Sequence, residues 1–402
     1  MLKFSGVAGN IPKYYLFSFL RDFTLFSAVL VPFFTQWGHI SLTQVQLLQS
    51  WFMLWIFLLE VPTGAVADFL GRKVSLILGA LTMTIGVIVY GSIPNFYIFL
   101  LGEFILATSL ALMSGADNAL LYDSLKELNR EDEIKKITGR SHSFNLFGLF
   151  ISAPIGSLIA AKFGLNAPMY LSSIAYFIAT FVALSFSETK IQDITSESKR
   201  YLDIVKQGFK YFRNQPTLKL LALDAILVNS AGYFIIWLYQ PLFTSINISV
   251  AYFGLFHALL VGSEILVSSN FQRLEKLFGS AKNYLRFSAI ITAIFFLIVA
   301  LFPNFFTIIL FLVFAGGFGL TRMDLMSAYM NKFIPSNRRA TILSSISMFR
   351  RFALVLLNPV IGFTADRSLS LALLIISLLP LVVFFFSPIT QESLDDTKSI
   401  PV

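Results

Sequence analysis

The stretch GAVADFLGRK, residues 64–73, sets an acid, a glycine and two bases between apolar runs at 45–66 and 74–93. A helix crosses about 30 Å of hydrocarbon with about 20 residues, so each run is long enough to span a bilayer. Backbone groups in hydrocarbon must bond within their own segment, which makes these runs helices and the polar residues at 67–73 the turn between them. A tight turn favours Gly71, and Arg72 and Lys73 lie where basic residues hold a loop in the cytoplasm. Neither rule accounts for Asp68.

The whole chain follows the same pattern. Of 402 residues 56% are hydrophobic and 13% charged, with 44 Phe, a balance that excludes a solvated globular surface. Apolar runs fall at 14–36, 45–66, 74–93, 96–121, 142–163, 167–187, 218–242, 250–271, 285–302, 305–330, 341–364 and 369–388, which predicts twelve spans. The start, MLKFSGVAGNIPKYY, lacks a signal-peptide layout and is read as leading into an uncleaved first span. Of the 30 Lys and Arg, only Lys162 and Arg367 fall on the outer face, and Arg21, Arg322, Arg350 and Arg351 lie within spans. The rest share one face, which places both termini in the cytoplasm and explains the net charge of +8 without a nucleic-acid partner. With no cysteine the chain has neither disulfides nor thiolate metal sites.

The halves overlay at an offset near 205. Asp117 and Tyr122 match Asp324 and Tyr329, Glu60 matches Glu264, and Pro154 with Gly156 resembles Pro359 with Gly362. This predicts six-helix bundles at 1–187 and 217–402, joined by a linker at 188–216. In that linker Tyr201, Ile204, Val205, Phe209 and Phe212 fit an amphipathic surface helix.

Twelve spans in two halves, a basic linker, and Gly64, Asp68, Gly71, Arg72 and Lys73 at their spacing resemble the Major Facilitator Superfamily. NKFIPSNRRATILS (331–344) is similar to that family's loop between helices 10 and 11. The second-half turn, FQRLEKLFGSAKN (271–283), keeps Gly279 and Lys282 but has Gln272 where the acid would fall. GLFISAPIGS (148–157) matches only in part the glycine–proline pattern of the family's antiporters, with Ala153 before Pro154. The resemblance implies an all-α membrane fold of two pseudo-symmetric bundles and a cytoplasmic latch. In that latch Asp68 would face the start of helix 11 near Ala340 and Thr341, and Arg72 would pair with Asp117 or Asp123. Arg322 and Asp324 are grouped with the same gate.

Ionised side chains at depth are costly unless they face protein or water. They occur as Arg21, Asp22, Glu60, Glu103, Asp117, Asp224, Glu264, Arg322, Asp324, Arg350 and Arg351, and none falls in spans 3, 6, 9 or 12. The resemblance assigns those four spans to the outside of the bundle. Arg21, Asp22, Arg350 and Arg351 lie near mid-depth, where an alternating-access carrier holds its cargo. Asp22, Glu60, Glu103, Asp224 and Glu264 are candidates for substrate binding or proton coupling, and Asn229, Tyr233, Trp237 and Gln240 offer hydrogen bonds and stacking faces to a solute. No metal spacing, phosphate loop or nucleophile–base set is present, so neither an enzyme nor a cofactor is expected.

The expected function is secondary active transport of a small organic molecule, coupled to protons. Export of a drug-like or metabolic compound is the first expectation, and uptake of an organic anion on the intramembrane arginines the alternative. A non-transporting receptor or lipid-handling protein on the same fold is the reading from another class. The expected setting is a monomer in the lipid bilayer of a bacterial cytoplasmic membrane.

Overall fold

The computed structural model describes residues 6–189, 211–212, 214–334, 339–391 and 394. All regular structure among them is helical. Eleven helices among them are long and apolar enough to cross a membrane. Large apolar side chains such as Leu158, Leu266, Leu378 and Phe385 are left exposed on them, as suits a lipid-facing surface and not a watery one. Of the expected linker helix, Tyr201, Ile204, Val205 and Phe209 lie outside the described residues, while Phe212 stacks on Phe349 with ring centres 5.4 Å apart.

Span 1 is the one of the twelve expected spans that is not among these eleven. It runs as a helix over Asn10–Arg21, unwinds at 22–26, and resumes as short turns of 3-10, α and π geometry up to Trp37. Hydropathy carries no sign of this break, because the unwound residues are themselves mostly apolar. The cause lies in the neighbours. The backbone N–H of Leu25 donates to the Ser172 hydroxyl at 3.0 Å, which satisfies a group that the helix no longer serves. Span 5 (Ile134–Phe163) receives the irregular backbone at two glycines: a Cβ on Gly156 would lie 1.6 Å from the Leu25 carbonyl oxygen, and one on Gly148 2.7 Å from that of Phe19.

Spans 4 and 10 break as well. Span 4 stops at Met113, passes through Gly115 at φ 79, and restarts as Ala116–Glu127. Span 10 passes from Phe305–Leu310 through a π-helical stretch to Gly317–Leu320, then restarts after Thr321 as Arg322–Met330.

The turn expected at 67–73 is shorter than its composition implies. Span 2 is helical over Leu42–Leu70, straight through Pro62, and span 3 begins at Arg72. Gly71 alone makes the connection, at φ 97, with the Glu188 carboxyl carbon 3.3 Å from where its Cβ would be. Only glycine adopts that conformation without strain. Gly64, in contrast, sits exposed within the helix, and a Cβ there would meet nothing within 4 Å. In the second half Gly279 repeats the positive φ, at 76, before the helix Ala281–Leu301, and Phe271–Leu277 is helical where a loop was expected.

The chain forms two compact units. One comprises the described residues of Met1–Ile40, Leu48–Tyr201 and Val250–Ala258, the other those of Ser41–Leu47, Leu202–Ser249 and Leu259–Val402. In the first, the Ser157 hydroxyl donates to the Ala251 carbonyl at 3.0 Å, and Gly254 lets that segment settle on Ala153. In the second, Asp366 caps the start of span 2: its Oδ1 accepts from the Leu42 N–H at 2.7 Å, and its Oδ2 from the Thr43 N–H at 2.9 Å and the Thr43 hydroxyl at 2.5 Å. Helix starts leave such donors unpaired, and a carboxylate is their strongest acceptor.

Candidate functional site

In the first unit the breaks in spans 1 and 4 set opposite charges against each other. Arg21 is the last residue of its helix, where the backbone dipole favours a cation, and Asp117 lies in the first turn after Gly115, where it favours an anion. Arg21 Nη1 donates to Asp117 Oδ2 at 2.9 Å, and Arg21 Nε lies 3.6 Å from Asp22 Oδ2. One guanidinium thus stands between two carboxylates. The side chains remain 20%, 11% and 40% exposed for Arg21, Asp117 and Asp22.

Asp117 is therefore engaged at depth, and Arg72 goes to the other candidate. Its Nη1 pairs with the Asp123 carboxylate and donates to the Ala119 carbonyl at 2.8 Å. Partial burial pushes the neighbouring Asp68 carboxyl up, and Arg72 opposes that shift. Lys73 makes no ion pair among the described residues. The proposed partners of Asp68 at the start of helix 11, Ala340 and Thr341, have side chains outside those described.

The second unit carries a matching pair with its charges exchanged. Arg322 Nε donates to Asp224 Oδ1 at 2.7 Å, and Arg322 Nη1 donates to the Leu285 carbonyl at 2.9 Å and to the Ser288 hydroxyl. Arg322 and Asp224, expected in different roles, form one ion pair, with side chains 1% and 4% exposed. Arg21 and Asp224 are 203 apart in number and Asp117 and Arg322 205, within the internal repeat. Matching like with like, Asp117 to Asp324, hides this equivalence. The breaks just before Asp117 and just before Arg322 reveal it.

Beside that pair lies a second, more open cluster. Arg350, near the middle of the helix Arg339–Arg367, donates through Nη1 to Asn229 Oδ1 at 3.0 Å. Asn229, near the middle of Pro216–Ser245, is held by its own donation to the Leu320 carbonyl at 2.8 Å. The charges of Arg351 and Asp324 act on Arg350, and that of Asp324 acts also on Glu264. Asp324 thereby stands within electrostatic reach of both Arg350 on span 11 and Glu264 on span 8. Tyr233, Trp237 and Gln240 continue the Asn229 face of span 7 at helical spacing. Arg350 Nε and Trp237 Nε1 are buried there with no hydrogen-bond acceptor among the described residues.

Other candidates stand apart. Glu103 is buried in the first unit, accepting from Gln49 Nε2 at 2.7 Å and the Tyr90 hydroxyl at 2.5 Å, with no cation in reach among the described residues. Phe33, Phe34 and Phe99 enclose Tyr90. Glu60 is half-buried on span 2, where its carbonyl oxygen accepts from the Thr63 hydroxyl at 3.4 Å.

Membrane helices whose ionised side chains are turned inward, paired or held in one field, are the build of a solute carrier. The family model of the Major Facilitator Superfamily matches residues 15–357, and the chain belongs to that family. An uncharacterised MFS-type transporter of Methanocaldococcus jannaschii is 20% identical over 228 residues, 55% of this chain and 56% of that relative, so the match spans little more than half of its length. Among solved structures, the nucleoside transporter NupG is similar at a TM-score of 0.77 and 15% identity, covering 93% of this chain and 97% of its own. A D-xylose-proton symporter reaches 0.68 at 13% identity, covering 95% and 98%. A POT family transporter in complex with 5-aminolevulinic acid reaches 0.72 at 12%, covering 94% and 96%. At such identities the likeness is one of fold.

Proposed function

We propose that this transporter moves a small organic anion together with protons by alternating access, using the cluster of Glu264, Asp324, Arg350 and Arg351. The observation that carries the reading is Arg350, which gives one donor to Asn229 and has a buried Nε with no acceptor among the described residues. A carboxylate or phosphate on the cargo supplies acceptors of the right charge, and an arginine presents its donors as a fork that fits them. With both acids ionised the four charges sum to zero. Protonation of Glu264 or Asp324 leaves the cluster positive, so proton and anion favour each other's binding, and the coupling is reciprocal.

Export of a cationic or neutral drug-like compound is the second reading. It is favoured by the Arg21 cluster, whose two carboxylates and one guanidinium leave a net negative charge beside the half-open Asp22. In either reading Asp68, Arg72 and Asp123 act as a gate on the cytoplasmic side, where both termini lie, and the halves on either side of the linker move as two bodies of a monomer in a bacterial cytoplasmic membrane. Counterflow of labelled solutes in proteoliposomes tests the choice. Organic anions exchange through the wild type and fail with Arg350→Gln under the first reading. Exchange of lipophilic cations that survives Arg350→Gln and fails with Asp22→Asn supports the second and overturns the first.

A further inference from the structure

Span 2 changes unit along its length. Its start, within Ser41–Leu47, belongs to the second unit, and from Leu48 onward the helix belongs to the first. The helix Leu42–Leu70 runs through this joint without a break. What holds its first turn in the second unit is Asp366, the residue before the last of the helix Arg339–Arg367, with its three bonds to Leu42 and Thr43. Gly362, one turn earlier on span 11, lets the two backbones close. A Cβ there would lie 2.8 Å from Thr43 Cα and 2.9 Å from both the Leu42 carbonyl oxygen and Gln46 Cβ. A carboxylate accepting from backbone N–H groups at a helix start makes charge-assisted bonds, stronger than neutral ones.

The same seam encloses polar groups that it does not satisfy. Gln46 is 2% exposed, and Asn358, one turn before Gly362 on the same face of span 11, is fully buried. Gln46 Oε1 and both amide atoms of Asn358 are buried with no hydrogen-bond partner among the described residues. A buried polar atom left unpaired costs free energy that an apolar group of the same shape does not. Leucine in place of Asn358 fills a similar volume without that cost, so closure of the seam is opposed by the amides it covers. Water that reaches them on opening supplies the missing bonds. The start of span 8 passes to the other unit in the same way, with Val250–Ala258 grouped in the first, but there the Ser157 hydroxyl makes a neutral bond to the Ala251 carbonyl.

We propose that Asp366 is a latch at the other end of span 2 from Asp68: its bonds hold the start of span 2 shut against span 11, and the unpaired amides of Gln46 and Asn358 favour opening and hydration of the seam once the latch releases. The carboxylate bonds and the amide penalty act in opposite directions on one contact. Shut and open states are thereby kept close in free energy, as a device that cycles between them requires. The opening is a property of the protein without cargo, so it does not rest on which solute is carried.

The chain has no cysteine, so a single Gln46→Cys reports on the seam. The purified full-length protein, without added solute, is treated with a water-soluble maleimide, and the rate of labelling is followed by mass spectrometry. Adding Asp366→Ala to the reporter raises that rate at least about tenfold, because charged hydrogen bonds are lost from the shut state alone. Asp366→Asn, which keeps one acceptor oxygen, gives an intermediate rate. Asn358→Leu lowers the rate at least about threefold. A second reporter in a fully buried position of span 9, Ala293→Cys, stays unlabelled in every background, which separates opening of the seam from loss of the fold. An unchanged rate in Asp366→Ala, a faster rate in Asn358→Leu, or labelling at Ala293→Cys that rises in step with that at Gln46→Cys each overturns the assignment.

Discussion

Exchanging the charges of the first unit's ion pair, Arg21→Asp with Asp117→Arg, gives that unit the polarity the second unit already uses at Asp224 and Arg322. Either reversal alone leaves like charges facing each other. Arg21→Asp sets three carboxylates together, and Asp117→Arg leaves two guanidiniums on Asp22. Each loses a charged hydrogen bond worth about 1.5–3 kcal/mol and adds repulsion. The double exchange restores one cation between two acids. It still forfeits the helix-end preference of both residues, at about 0.3–1 kcal/mol each. The exchanged protein therefore falls between wild type and the single reversals, with a favourable coupling energy of about 1–3 kcal/mol in the double-mutant cycle. In the second unit Asp224→Asn strands Arg322, which is fully enclosed, and costs about 3–5 kcal/mol. Thermal unfolding of the purified variants in detergent reads these differences. A double exchange no more stable than the worse single reversal would refute the claim that the two pairs are equivalent devices with opposite polarity.

Three further substitutions test the backbone account. Gly71→Ala forces an L-residue to φ 97 with its Cβ against Glu188, and lowers stability by about 1–2 kcal/mol, measured by thermal unfolding, whereas Gly64→Ala is neutral or mildly stabilising. Gly156→Leu drives a side chain into the Leu25 carbonyl, and the protein fails to elute as a monodisperse peak on size exclusion, while Gly139→Leu, at a glycine with open space, elutes normally. Asp366→Ala removes the cap from span 2 at a cost of about 1 kcal/mol, and hydrogen exchange at Leu42 and Thr43 accelerates while that at Leu48 does not.

The membrane fold was legible because hydropathy, positive-charge placement and the 64–73 motif are each local properties of the chain. The breaks were not. Residues 22–26 carry Asp22 and Thr24 among three apolar residues, which marks a charge but not an unwound stretch, and the cause sits more than a hundred residues away at Gly148, Gly156 and Ser172. Gly115 was the readable exception, a glycine two residues before a buried acid. Charges within the apolar runs can be picked out from the sequence, but their partners depend on three-dimensional register. Asp117 was free on paper to meet Arg72 and meets Arg21 instead, and Arg322 was placed with a gate when it closes onto Asp224. The duplication was visible, yet it was matched by residue type. With an acid in one half standing where the other half has a base, each ion pair is kept while similarity by residue type is lost.

The measurement that bears most directly on coupled anion transport is proton movement recorded with a pH dye inside proteoliposomes when an organic anion is added outside. The account predicts that lumenal acidification accompanies anion uptake, and that Arg350→Gln abolishes both movements, while Glu264→Gln with Asp324→Asn leaves anion exchange but no net proton flux. Anion uptake without any proton signal, or full proton-coupled uptake in Arg350→Gln, would contradict it.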